Sequence, residues 1–350
     1  MKCLAMINSE KSIFFGNQSL LLPDGRKIPM PSESTIKRRL GKIRLMERLF
    51  RLEPRCTAFL GTQHLVMAYQ RKIWIVDIHQ AEIQKVFSIR NGFSDVLSFC
   101  QMEDAVYFGD YGNNLSGESI HIYQLDIHQN LNIVYTFPAR SIKHIHGLVY
   151  DRWRNRFFIF TGDQGTQAGI YTASADFSCV EPFLTGSQQY RTVVGHVTEK
   201  YLYYTTDAVM EPNFLYRVEL KGEKKPQKLA SLNGSVIFGL NLEDGFLLST
   251  TVEPYPIKKS ALLSLLDNRR GKGILSSETM VGYVDETSEI TWLKAYHKDR
   301  WLMRLFQYGS VQFPALLNHQ VGKYIYVNPM AVAKYDGKPQ KLDLTKCKKE

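Results

Sequence analysis

Cysteine is scarce and scattered. The five cysteines (Cys3, Cys56, Cys100, Cys179 and Cys347) of the 350-residue chain form no CxxC pair and no Cys/His metal spacing. An odd, dispersed set excludes a disulfide scaffold and predicts reduced thiols in a cytoplasmic protein. Acidic charge is in deficit, with 34 Asp and Glu against 44 Lys and Arg, a formal +10. No apolar run approaches the roughly 18 residues of a membrane helix. The N-terminal stretch MKCLAMINSEKSIFF has too short an apolar run before Asn8 and Ser9 for a secretory signal. None of the familiar nucleic-acid modules is present, so the basic surface is not read as a nucleic-acid site.

What is abundant is strand-forming material. Tyr and Phe number 19 each, and they gather with Val, Ile and Thr in short runs, as half-buried pleated surfaces require. Cys3–Ile7 and Ser12–Phe15 open the chain as two strands. From Arg55 onward the runs come in fours: 56–60, 65–69, 72–78 and 84–89, then 96–100, 105–108, 120–125 and 133–137. Further sets begin at Ile142, Arg191, Val236 and Ile290, the last running through Trp301–Leu305, Val311–Phe313 and Tyr324–Val327. A basic segment, Ile36–Phe50, reads as linker plus outer strand. A basic amphipathic helix making peripheral membrane contact is the alternative reading.

One polar position recurs at the end of the second strand of each set: Asn17, Gln70, Asp110, Asp163, Asp207, Thr251 (with Glu253) and Gln307. Their intervals are of the order of a propeller blade, about 40 to 50 residues. The expected fold is therefore all-β, a single β-propeller over residues 1–350 with seven four-stranded blades, or six if the less regular N-terminal copy (within 1–54) is excluded. The tail 331–350 is expected to supply a closing strand, Ala331–Leu344, paired with an N-terminal strand, and a basic end.

Such a meander returns strand two to the face from which strand one departs. His144 and His146 should therefore share a face with Asp163, and Gln188, Gln189 and Arg191 with Asp207, Glu211 and Asn213. Asp110, Tyr111, Asn113, Glu253 and Gln307 are expected on the same face. The two histidines, two residues apart in a strand, point the same way. They suit an acid–base role, a divalent metal or a buried structural pairing, and no cofactor is otherwise predicted. Asp163, Asp207, Glu211 and Glu253 are candidate carboxylates for glycoside hydrolysis. Asp110, Tyr111, Asn113, Gln189, Arg191, Asn213 and Gln307 are candidate substrate contacts, Arg191 as a clamp for a carboxylate or phosphate.

The runs FGDYGNN (108–114), IKHIHGLVYD (142–151), GSQQYR (186–191), TTDAVMEPN (205–213), TTVEP (250–254) and FQYGSVQFP (306–314) resemble blade signatures of a family of sialidase-like, Asp-box-related propellers associated with bacterial polysaccharide genes. The resemblance implies an acidic oligosaccharide or polysaccharide as partner, either turned over by hydrolysis or β-elimination or bound by a scaffold without turnover. Two departures argue against sialic-acid hydrolysis. Of the Asp box only Ser174 and Asp176 survive, with Phe177-Ser178-Cys179 in place of the rest, and Phe50-Arg51-Leu52-Glu53-Pro54 only loosely echoes the family's arginine motif.

Overall fold

Strands His64–Tyr69 and Lys72–Asp77 are buried along nearly their whole length, whereas their neighbour Glu82–Ser88 is mostly exposed. A sheet whose middle strands bury both faces and whose last strand faces water must be packed between other sheets and exposed at its outer edge. The pattern recurs along the chain. The computed structural model describes residues 1–31, 34–163, 165–256, 265–285, 287–318 and 321–347. They form seven sheets, and the chain is a seven-bladed β-propeller, nearly all β.

Each sheet is a meander. After the N-terminal sheet (2–29), the four-stranded sheets comprise 56–88, 100–137, 145–185, 192–232 and 236–297. The last sheet joins Ser310–Gln312, Tyr324–Met330 and Gln340–Asp343. Two compact units are distinguishable. One holds residues 54–206 and 216–227, and the other holds 1–53, 207–215 and 228–350. In the first, Phe93, Tyr107, Ile120, Ile145, Phe157 and Phe177 belong to one apolar core. In the second, Cys3, Leu247, Val281, Val311, Ile325 and Leu342 belong to another.

The recurrent polar position holds in six sheets. Asn17, Gln70, Asp110, Asp207 and Thr251 directly follow the second strand, and Asp163 follows Thr161 by two. In the seventh sheet the sequence reading needs correction. Ile290–His297 is not the first strand of a new blade but the outermost strand of the preceding one, paired with Glu278–Asp285. Gln307 then falls after the short helix Met303–Phe306 and before the first strand of the last sheet. The residue that follows the second strand there is Ala331.

Two further expectations are corrected. Ile36–Phe50 contains no strand; it folds as two six-residue helices, Thr35–Leu40 and Arg44–Leu49. The second is docked by an ionic knot. The buried Arg48 side chain bonds Asp299 Oδ2 (2.5 Å), Asp336 Oδ2 (3.2 Å) and the carbonyl of Phe306 (2.6 Å). Among the described residues the tail makes no strand pairing with the N-terminal strand, although the Met1 ammonium donates to the Gly337 carbonyl at 2.9 Å. Gln340–Asp343 pairs with Tyr324–Met330, and the N-terminal strand Lys2–Met6 is joined in parallel by Ala315–Leu316 instead. The basic residues Lys348 and Lys349 lie outside the described residues.

Candidate metal centre

His144 precedes, and His146 lies within, the strand Ile145–Asp151, whose partner is Arg156–Thr161. A β-bulge between Ile145 and Gly147 marks this strand at His146. Asp163 hangs from the next corner. That corner requires glycine at 162: its φ is +74°, and a Cβ there would lie 1.8 Å from the Gln167 carbonyl oxygen. Both imidazoles are buried, at 3% and 2% exposure.

The hydrogen bonds define the tautomers. His144 Nδ1 lies 2.5 Å from the carbonyl oxygen of Gly112, and His146 Nδ1 lies 2.9 Å from that of Thr192. A carbonyl can only accept, so each Nδ1 carries the hydrogen, and in the neutral ring each Nε2 is a bare lone pair. The two Nε2 atoms stand 2.9 Å apart, and Asp163 Oδ1 lies 3.2 and 3.3 Å from them. Burial lowers the His144 pKa below 6.5; Asp163 opposes this and His146 reinforces it. Burial also works against the Asp163 carboxylate. Hydrogen bonds from the imidazoles, which require a proton on Nε2, and the Arg191 charge nonetheless hold it well below the usual carboxylate range; with both Nε2 bare, Arg191 and Lys143 are the groups that keep it ionised.

With both rings neutral, three electron-rich atoms thus converge on one point, and they repel unless a proton or a metal cation sits among them. Among the described residues this is the one cluster of His, Cys, Asp or Glu with metal-ligand spacing. Spacings of 2.9–3.3 Å would let all three donors hold one ion at about 2.1 Å from each. The donor set, two imidazoles and one carboxylate, suits Mn²⁺, Fe²⁺ or Zn²⁺. The carbonyls behind Nδ1 are the outer partners that orient histidine ligands.

Around this point, Lys143 Nζ contacts Asp163 Oδ2 at 2.7 Å. Arg191 donates to the Asp163 carbonyl at 3.1 Å and brings Nη2 to 3.5 Å from Oδ1. The Gln188 side chain donates to the same carbonyl at 3.1 Å. Tyr111 covers His144, ring centroids 4.7 Å apart, and the Arg55 guanidinium lies 4.7 Å from the centre of the Tyr111 ring. His144, His146, Asp163, Arg191 and Tyr111 are therefore brought together. Gln188, expected on the same face, joins them, and Lys143 and Arg55 are additions. Lys143 could have been flagged as a cation adjoining the histidine pair, whereas nothing in the sequence singles out the carbonyls of Gly112 and Thr192.

The remaining candidates have other local roles. The Asp110 carboxylate pairs with Arg90 (3.0 Å) and accepts the His121 amide (2.9 Å) and the Tyr123 hydroxyl (3.2 Å). Burial raises its pKa despite those partners. Asn113 and Glu211 are exposed, and Asp207 is buried. Gln189 sits in the helical turn Gln188–Tyr190, its amide bonded to Ser187 Oγ (3.2 Å). Asn213 is a structural brace, its side chain bonding the backbone of Ala208, Glu211 and Gly273. Glu253 accepts the hydroxyls of Ser235 and Thr251. Gln307 donates to the Arg48 carbonyl at 3.3 Å. Ser174 and Asp176, the Asp-box remnant, form a local turn in which Asp176 accepts Ser174 Oγ (2.6 Å) and the Ser178 amide (3.1 Å).

No family model matches the chain, and no curated protein matches it. Solved structures show similarity of fold. An oligogalacturonate lyase in complex with manganese aligns at TM-score 0.53 and 9% identity, over 90% of this chain and 85% of that one. A chain of a mitotic checkpoint complex aligns at 0.56 and 8%, over 98% and 86%. The U3-55K structure aligns at 0.54 and 11%, over 98% and 96%. At these identities the likeness concerns the propeller alone. Among the described residues no helix is long and apolar enough to cross a membrane.

Proposed function

We propose that the chain binds a divalent transition-metal ion at His144, His146 and Asp163, and that this centre engages a carboxylate-bearing oligosaccharide. The observation that carries the reading is the convergence of two bare Nε2 lone pairs and a carboxylate oxygen within 2.9–3.3 Å of one another. The similarity to an oligogalacturonate lyase in complex with manganese supports it by analogy of fold only. The sialidase-like resemblance points to the same class of partner.

Of the two reaction classes, β-elimination fits this centre better than hydrolysis. A hydrolase needs a carboxylic acid that holds its proton until the leaving group departs. Asp163 is held ionised by its neighbours, so it is unsuited to that task. Elimination needs a sugar carboxylate neutralised so that the adjacent C–H becomes acidic, a base such as Tyr111 to take that proton, and a proton delivered to the glycosidic oxygen as its C–O bond breaks. A bound divalent ion would supply that neutralisation. Arg191 presents a guanidinium to a carboxylate beside Asp163, and Lys143 keeps Asp163 anionic and in place. A second reading, recognition without turnover, is favoured by the Tyr111 ring over His144, which closes one side of the centre.

The test begins with chelator-stripped protein titrated with Mn²⁺. One ion per chain is expected, with Asp163→Asn and His146→Ala each weakening binding roughly a hundredfold. Absence of stoichiometric binding would overturn the proposal. A panel of acidic oligosaccharides, followed for an unsaturated product absorbing in the ultraviolet, then separates elimination from binding alone.

A further inference from the structure

The compact unit that contains residues 1–53, 207–215 and 228–350 holds a cavity of about 1190 Å³. It is open to solvent along one side and is roomy enough to admit a nucleotide-sized ligand, against roughly 300–1,000 Å³ for ordinary small-molecule sites. Six Arg and Lys line it against two Asp, Asp299 and Asp336. Those two carboxylates are already neutralised. Arg48 bonds both, Lys298 bonds Asp299, and Arg44 bonds Asp336 at 3.0 Å. Arg269 is paired with Asp267 at 2.7 Å. Arg270, Lys272 and Arg300 remain, exposed and without a carboxylate partner among the described residues. Arg48 Nη2, buried in the cavity lining, also has no hydrogen-bond partner there.

The excess charge is held on a braced loop. In Arg269-Arg270-Gly271-Lys272-Gly273 the cations alternate with glycines whose backbone is pressed against a neighbouring segment. A Cβ on Gly271 would lie 2.2 Å from the Val209 carbonyl oxygen, and one on Gly273 2.0 Å from that of Glu211. Gly271 N–H donates to Glu253 O (3.0 Å), Gly273 N–H to Val209 O (2.9 Å) and Leu275 N–H to Asn233 O (2.8 Å). The backbone is thus pinned on the glycine side while the side chains of 270 and 272 stay in solvent. Beside them stands Trp301, 39% exposed, with the Arg300 guanidinium over its ring at 5.4 Å.

We infer that this cavity binds a small phosphorylated ligand with adjacent phosphate groups and a planar ring, a nucleoside di- or triphosphate in chemical class. Three uncompensated cations lining one cavity suit a ligand whose charges are themselves adjacent, as in condensed phosphates. An acidic sugar spaces single carboxylates a residue apart and matches them less well. Trp301 offers the ring an aromatic face. This inference is independent of the metal centre proposed above.

The full chain is titrated calorimetrically at about 150 mM salt, where loose surface attraction is screened, with adenosine triphosphate, inorganic triphosphate and trigalacturonate. Saturable 1:1 binding of both phosphates is expected. Arg270→Ala with Lys272→Ala should weaken both by roughly tenfold or more. Trp301→Ala should weaken only the nucleotide. All three side chains are exposed, and unchanged thermal melts check that the variants fold. No saturable phosphate binding, unchanged binding in the double variant, equal loss of both phosphates in Trp301→Ala, or trigalacturonate binding as tightly as triphosphate would overturn it.

Discussion

At the residue scale, the behaviour of the candidate centre rests on protons. The slope of stability with pH follows the difference in protons bound by the unfolded and native states. His144 has its pKa depressed below 6.5, and Asp163 has its pKa depressed below 3.8. Below about pH 6.5 the unfolded chain takes up a proton on His144 that the native site resists, so stability falls as pH falls; the Asp163 contribution is lost at still lower pH. In chelator the wild-type melting temperature is expected to drop between pH 7.5 and pH 5.5, and His144→Gln is expected to flatten that drop. A profile equally steep in the variant would remove His144 from the account. The residue types at this centre are legible in the chain, because two histidines two apart at the start of a strand, with an aspartate at its hairpin end, constitute a spacing. Their protonation is not legible. It depends on carbonyls contributed by Gly112 and Thr192, 32 and 46 residues away from the imidazoles they hold.

At the scale of elements, side chains replace backbone where strands run short. Asn328, in the strand Tyr324–Met330, accepts the Cys3 amide at 2.7 Å through Oδ1 and donates to the Cys3 carbonyl at 2.8 Å through Nδ2. One amide side chain thus mimics a peptide unit toward the N-terminal strand Lys2–Met6. Asn328→Leu leaves a buried donor and a buried acceptor unpaired and should cost about 2–4 kcal/mol, measured as a shift in the urea midpoint. A loss below about 0.5 kcal/mol would mean the strand is held by packing alone. Register explains where the sequence reading of elements fails. Ile290–His297 has the same alternation whether it begins one blade or ends another, and only its pairing with Glu278–Asp285 assigns it. Ile36–Phe50 is a helical pair for a tertiary reason as well. None of its apolar side chains is fully buried, and the docking group is a cation, Arg48, whose two aspartates lie some 250 residues or more along the chain.

At the scale of the whole molecule, a ligand that binds only the native state stabilises it by mass action. If the centre at His144, His146 and Asp163 takes up Mn²⁺, a free concentration a hundredfold above the dissociation constant should add about 2.7 kcal/mol. That gain should appear as a raised melting temperature, reversed by chelator and absent in Asp163→Asn. A rise of the same size in the variant would locate the ion elsewhere. The propeller itself is the part the sequence determined most fully. Short strands of aromatic and β-branched residues at blade-sized intervals admit few other folds, because the burial pattern and the turn spacing are both local properties. What only the tertiary structure decided is which polar groups meet. Asp110, Asp163 and Glu253 occupy equivalent or neighbouring places in the repeat. Yet the first is turned to Arg90, the second to two imidazoles, and the third to two hydroxyls. A side chain's partners come from whichever segment packs beside it, and chain spacing carries no record of that.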